Sequence, residues 1–541
     1  MITVYTARRI ITMDPSLPDA TAIACRDGRI VEVGTIDSMA PWLKRHEHEI
    51  DERFADDVMI AGFIDPHVHP SMASMLLNMH WITPEPWSLP SGDIGATETR
   101  DDYLARLADL VAAHPEGPLI TFGYHAQFHG EVERGDIDDI DDTRPVVLWQ
   151  RSFHEVRGNS KALEWLNAAE GARWDPHIDL ESGRMFESGI VWALGTLVPH
   201  LMGEGGYEQG LRDVQYLTRK GGVTTVADAG YGIVDFDTEL DATQLIFGGA
   251  EPSMRLWLMA NIPRAQGAFQ ERTMEQIESF AAERGTDTVK FLKAAKFFSD
   301  GAFIAQLMQL GEPGYIDGHE GAWMSTPEQL VKMIRPWWNA GYDINIHTNG
   351  DRGVQSCLDA ISTLLHECPR FDHRTTLHHF GVSTQAQARR AGALGVSVQA
   401  NGYYLNLFGD AFCDQWLGYE RASQMTRLGS LVRHGVSVAV HSDFPMGPID
   451  PLKAVSNVVN RSTRGGQVLA PPEALSLDDA LAAVTIEAAA QLRLDDEIGS
   501  LASGKFADMT VLGADPYEVD PTDIADIDIV ATIVGGRVVE A

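Results

Sequence analysis

Two histidines one residue apart, His67-Val68-His69, follow the apolar run Val58-Met-Ile60 and a turn carrying Gly62 and Pro66. Residues two apart on an extended chain point to the same side, so both imidazoles can offer nitrogen to one point. Three further ligand-type residues close apolar runs: His347 after Tyr342-Asp-Ile-Asn-Ile346, His379 after Thr375-Thr-Leu-His378, and Asp443 after Val436-Ser-Val-Ala-Val440-His-Ser442. Imidazole nitrogen and carboxylate oxygen are the donors that hold a divalent transition ion. A solitary histidine beside a strand is ordinarily a core residue; recurrence at four strand ends is what points to metal.

Such residues converge only if the strands share one end. Apolar runs followed by helical stretches recur at Pro118–Phe122, Pro145–Trp149, Thr224–Ala227, Arg255–Met259, Thr288–Phe298, Tyr342–His347, Thr375–His379, Val396–Ala400 and Val436–Val440. This alternation predicts a parallel α/β fold, and its length fits a (β/α)8 barrel, in which the C-terminal strand ends face one opening. The strand ending at Ile60 is read as the first barrel strand. Helix starts agree: Thr326-Pro327-Glu328 supplies a cap and an N1 proline, with Pro336 expected to kink or shorten that helix, and Ser476-Leu-Asp-Asp479 opens a helix expected to reach Ala490. Both chain ends read as short strands with tight turns at Asp27-Gly28 and Gly535-Gly536. Residues 1–58 and 491–541 are therefore expected to build one small β-sandwich domain, and 59–490 the barrel.

Taken together, Gly62-Phe-Ile-Asp-Pro-His-Val-His69, Gly222-Val-Thr-Thr225, Lys296-Phe-Phe-Ser-Asp-Gly301, His347-Thr-Asn-Gly-Asp-Arg352, Gly435 to Asp443 and Ile498 to Asp508 resemble, in that order, the amidohydrolase superfamily, and within it the family 3 branch that includes N-substituted formamide deformylases. The resemblance implies that His67 and His69 hold the more buried metal, that Lys296 is carboxylated and bridges two ions, and that His347 and His379 hold the second. It gives Asp443 a dual role as ligand and catalytic base, and makes His154 a donor to the substrate carbonyl. Zinc is the expected metal, with one or two ions. The family usually has Glu before the second-site histidine; here His378 stands there, and the sequence does not choose between His378 and His379.

The reaction so implied is hydrolysis of an amide-type C–N bond, N-acyl or N-formyl and not peptide, by metal-activated water, with Asp443 as base and then acid. Met72 to Trp87 and Asn401 to Phe408 are rich in Met, Leu and aromatics, so Trp81 and Tyr403 are candidates for an apolar or aromatic substrate pocket. Asp351 and Arg352 read as partners of His347 or as a simple ion pair. The same ligands also serve lactone or carbamate hydrolysis, deamination, isomerisation and decarboxylation, and a metal-free scaffold is the alternative of another class.

Lys plus Arg number 42 against 77 Asp plus Glu, a net charge of −35, which argues against nucleic acid and anionic membrane partners and leaves a small-molecule substrate. Four cysteines without a C-x-x-C pair fit a reduced cytoplasm. Neither an export signal nor a membrane span is read from the sequence. A homodimer is common among such barrels, but the sequence locates no interface for one.

Overall fold

The computed structural model describes residues 1–249 and 253–539. Eight parallel strands form one sheet in chain order: β1 (Phe63–Val68), β2 (Val223–Tyr231), β3 (Arg255–Asn261), β4 (Val289–Phe298), β5 (Asp343–Thr348), β6 (Thr376–His379), β7 (Ser397–Asn401) and β8 (Val438–His441). Every residue of β1, β2 and β3 is buried. Burial on both faces is why these strands read as continuous apolar runs rather than alternating ones. The fold is a (β/α)8 barrel.

The seam between β8 and β1 is closed by the residues just beyond the strands. Asp443 N–H donates to the His67 carbonyl at 3.1 Å, and His69 N–H to the Phe444 carbonyl at 3.0 Å. Asp65 on β1 takes the Ser442 hydroxyl and, at 3.3 Å, the Ser442 backbone N–H. Helices sit between the later strands as expected. Pro327–Asn339 starts at a Thr326 capping box, and Asp351–Glu367 and Gln385–Leu394 follow β5 and β6. The first of these runs through Pro336 without ending there. The helix opened by Ser476 stops at Ala483, and a second begins at Ile486.

Both chain ends build one eight-stranded sheet, in which Val58–Ala61 pairs with Met509–Leu512 and with Arg9–Ile11. Its ladder is continuous rather than split into two separately bonded sheets. The Asp27-Gly28 and Gly535-Gly536 turns have positive φ at all four residues, as type I′ hairpins require. Asp508 anchors the sheet to the barrel: it receives two hydrogen bonds from Arg255 at the start of β3, at 2.6 and 3.1 Å, and one from Gly535 N–H at 2.7 Å.

Two expectations are corrected here. The strand Val58–Ala61 belongs to the terminal sheet, and the barrel begins after Gly62, where a Cβ would meet the Thr224 hydroxyl at 2.4 Å. That close approach lets the chain pass from one sheet into the other. The runs Pro118–Phe122 and Pro145–Trp149 are strands, Leu119–Tyr124 and Val146–Gln150, but they pair within a separate six-stranded sheet. They lie in a compact unit of their own, Pro70–Val214, distinct from the unit made by Met1–His69 and Gln215–Ala541. A buried strand has the same composition in either sheet, so periodicity could not separate them. Among the described residues no helix is long and apolar enough to cross a membrane.

Candidate metal centre

The ends of β1, β4, β5, β6 and β8 bring their ligand-type side chains into one cluster. His67 Nε2 lies 3.3 Å from His69 Nε2, and both stand 3.3 Å from Asp443 Oδ1. Around a tetrahedral ion with metal–donor bonds of about 2.05 Å, neighbouring donors are about 3.3 to 3.4 Å apart, so this triangle has the edge of a metal site. Two imidazole nitrogens and a carboxylate facing one another need a proton or a cation between them. The other ring nitrogens, His67 Nδ1 and His69 Nδ1, are buried without a hydrogen-bond partner. The donor set and its spacing therefore fit a divalent metal.

Two more histidines extend the cluster. The His379 ring lies 5.0 Å from that of His67 and 4.6 Å from that of His347, and its Nδ1 is 3.8 Å from Asp443 Oδ2. Adjacent residues on a regular strand point to opposite faces, yet His378 and His379 both approach His67, at 4.4 and 5.0 Å. The left-handed backbone at His379, φ +73°, turns the second ring back toward the first. Burial drives His67, His378 and His379 well below the usual histidine pKa, with the Lys296 ammonium and neighbouring rings adding to it. Neutral imidazoles with free lone pairs are competent ligands. Burial alone would raise Asp443, but the His69 hydrogen bond and nearby positive groups outweigh it and hold the carboxylate below its usual range.

Lys296 sits in register with Asn261 on β3 and Asn345 on β5, fully buried, and burial lowers it to about 7. Its Nζ is 2.6 Å from His378 Nδ1, and His378 Nε2 is 3.0 Å from Asn345 Oδ1. Both nitrogens of His378 are thus engaged, whereas His379 Nδ1 has no hydrogen-bond partner. Four residues beyond Lys296, Asp300 collects the backbone N–H groups of Gln309, Asn349 and Gly350 and the hydroxyls of Ser299 and Thr348. Five donors on one buried carboxylate tie the loop after β4 to the end of β5, which carries His347.

His347 Nε2 meets the Asn349 amide at 2.9 Å. Asp351 instead pairs with Arg421 at 2.7 Å and accepts from Gly311 N–H, so it is an ion-pair residue and its cation is not Arg352. Tyr403 is buried with its hydroxyl donating to the Asp450 carbonyl at 2.6 Å, while the next residue, Tyr404, donates to Asp443 Oδ2 at 3.0 Å. His441 stacks on His67 with ring centroids 4.5 Å apart. Tyr404 and His441 were not among the candidates from sequence; the available signal was a sixth histidine at a strand end and a second tyrosine at the start of a helix. Trp81 and His154 lie in the Pro70–Val214 unit. Trp81 is buried between Trp87 and Phe122 and donates to the Leu76 carbonyl, and His154 Nδ1 is 3.4 Å from Glu187.

Comparison with known proteins bears on the whole chain. The sequence profile described as "Amidohydrolase family" matches residues 55–540. The chain is 26% identical over 98% of its length to "Protein LONG AFTER FAR-RED 3" of Arabidopsis thaliana, with 90% of that protein covered. It is 24% identical over 97% of its length to "N-substituted formamide deformylase" of Arthrobacter pascens, with 96% covered. An uncharacterized metal-dependent hydrolase from Pyrococcus horikoshii superimposes with a TM-score of 0.74 at 20% identity, over 96% of this chain and 99% of the other. With a profile that spans nearly the full length, carried on the barrel and the histidine cluster described above, this chain belongs to the amidohydrolase family.

Proposed function

We propose that the protein hydrolyses an amide-type C–N bond, N-acyl or N-formyl, of a small apolar or aromatic molecule, using a divalent metal expected to be zinc. The triangle of His67 Nε2, His69 Nε2 and Asp443 Oδ1, with 3.3 Å edges, carries this reading. One ion would be held by those three groups, and His347 and His379 would hold a second. Lys296, lowered to about 7 and so able to present a neutral amine near neutral pH, would supply the bridging ligand as a carbamate. The formamide deformylase among the relatives supports the choice of bond.

When bound, such a cation acidifies water and polarises a carbonyl oxygen. Asp443 is the group positioned for the proton. As a carboxylate it accepts a proton from the attacking water at Oδ1 or Oδ2, and it hands that proton to the departing nitrogen. Tyr404 fixes the carboxylate through Oδ2 and holds it in one orientation while it does so. His67 and His379 stay neutral, so they orient rather than exchange protons.

The direct test is release of amine from a panel of N-formyl and N-acyl amines, with lactones alongside. Wild type should cleave at least one amide, and Asp443→Asn, folded by circular dichroism, should lower kcat by about 10²- to 10⁴-fold. Turnover of lactones with no amide cleaved would overturn the choice of bond.

A further inference from the structure

The pairing of Lys296 with His378 carries an inference that rests on the carbamate reading above and goes beyond it. Among the described residues Nζ makes one hydrogen bond, to His378 Nδ1 at 2.6 Å. The opposite nitrogen of that ring, Nε2, is 3.0 Å from Asn345 Oδ1, an oxygen that can only accept. Nε2 must therefore carry the ring proton, and Nδ1 must be the acceptor. Lys296, His378 and Asn345 are 1%, 0% and 3% exposed, so water does not supply other partners freely.

An ammonium has three N–H donors and would leave two of them short of protein partners in this buried place. A carboxylated amine has one. In forming it, the lone pair of the neutral amine attacks the carbon of carbon dioxide, a C–O π pair moves onto oxygen, and nitrogen releases one of its two protons to water. The N–H that remains matches the single acceptor that His378 offers.

We propose that His378 is a positioning residue for a carbamate on Lys296: its Nδ1 takes the one N–H the carboxylated amine keeps, and Asn345 fixes the ring in the tautomer that leaves Nδ1 free to accept. The division of labour between the two adjacent histidines follows. His379 has an Nδ1 that makes no hydrogen bond and can face the metal, and His378 has both nitrogens committed to the lysine and the asparagine.

The test uses the full-length protein equilibrated with ¹³C-bicarbonate, with the carbamate carbon read by NMR. His378→Leu should need at least tenfold more bicarbonate for half-maximal labelling, and His378→Asn, whose Oδ1 stands as many bonds from Cα as Nδ1 does, should recover most of the loss. Equal bicarbonate dependence in wild type and His378→Leu overturns the positioning role while leaving the carbamate in place. No label in wild type overturns the carbamate itself and this proposal with it. Should His378→Leu fail to fold, Asn345→Leu keeps the ring and frees its tautomer; a threefold or greater rise supports the proposal, and wild-type behaviour overturns it.

Discussion

Equally buried histidines can have opposite surroundings, and those of this chain show it. His67 and His69 turn Nε2 toward each other and toward Asp443 Oδ1 at 3.3 Å, and His379 keeps an Nδ1 without a hydrogen bond 3.8 Å from Asp443 Oδ2, so these rings face a carboxylate with room for a cation between. His129, in the Pro70–Val214 unit, is equally buried but fully used: Nε2 meets the Thr97 carbonyl at 2.8 Å, Nδ1 accepts from His125 N–H, and the ring stacks on Tyr103 at 4.4 Å. Burial lowers its pKa to about 4, the Thr97 hydrogen bond opposing this only in part. Because the folded value lies below the unfolded one of about 6.5, the unfolded chain binds the extra proton first, and the stability from a neutral His129 is lost as pH falls from 6.5 toward 4. Between pH 7 and pH 5 this amounts to about 2 kcal/mol. Denaturant unfolding of wild type and His129→Leu at both values checks it: wild type should lose about that much more than the variant, and parallel losses would refute it.

The candidate ligands could be picked out one by one because each stands at the end of an apolar strand, where chain direction alone decides which face it reaches. Their arrangement depends on contacts between strands that are distant in sequence. Asp65 and Ser442, 377 residues apart, hold the seam that sets the distance from His67 to Asp443. Removing the Ser442 hydroxyl leaves the buried Asp65 carboxyl with one partner fewer, at a cost of about 1–3 kcal/mol, and loosens the triangle. Ser442→Ala should weaken metal binding tenfold to hundredfold in competition with a chromogenic chelator, as outer partners of metal ligands do; unchanged affinity would mean the seam does not tune the site. The choice between His378 and His379 was not legible either. It turns on a positive φ at His379, a backbone state that residue identity does not announce.

For the molecule as a whole, barrel and terminal sheet were visible from alternation and from the two hairpin turns, since both depend on short-range pattern. The separate unit Pro70–Val214 was not, because its strands Leu119–Tyr124 and Val146–Gln150 are as apolar as those of the barrel. Nor could the sequence show that Asp508, in the motif running from Ile498, works as an anchor: its partners Arg255 and Gly535 come from β3 and the last hairpin. These anchors and seams serve one end, a cluster of imidazoles and one carboxylate at the mouth of the barrel. Elemental analysis of the protein produced with zinc, cobalt or manganese tests that claim most directly, beside a His67→Ala/His69→Ala double variant shown to fold. At least one divalent ion per wild-type chain is expected, falling below about a tenth of that in the double variant when both imidazoles are gone; a wild type as metal-free as the variant in all three metals would contradict the metal centre.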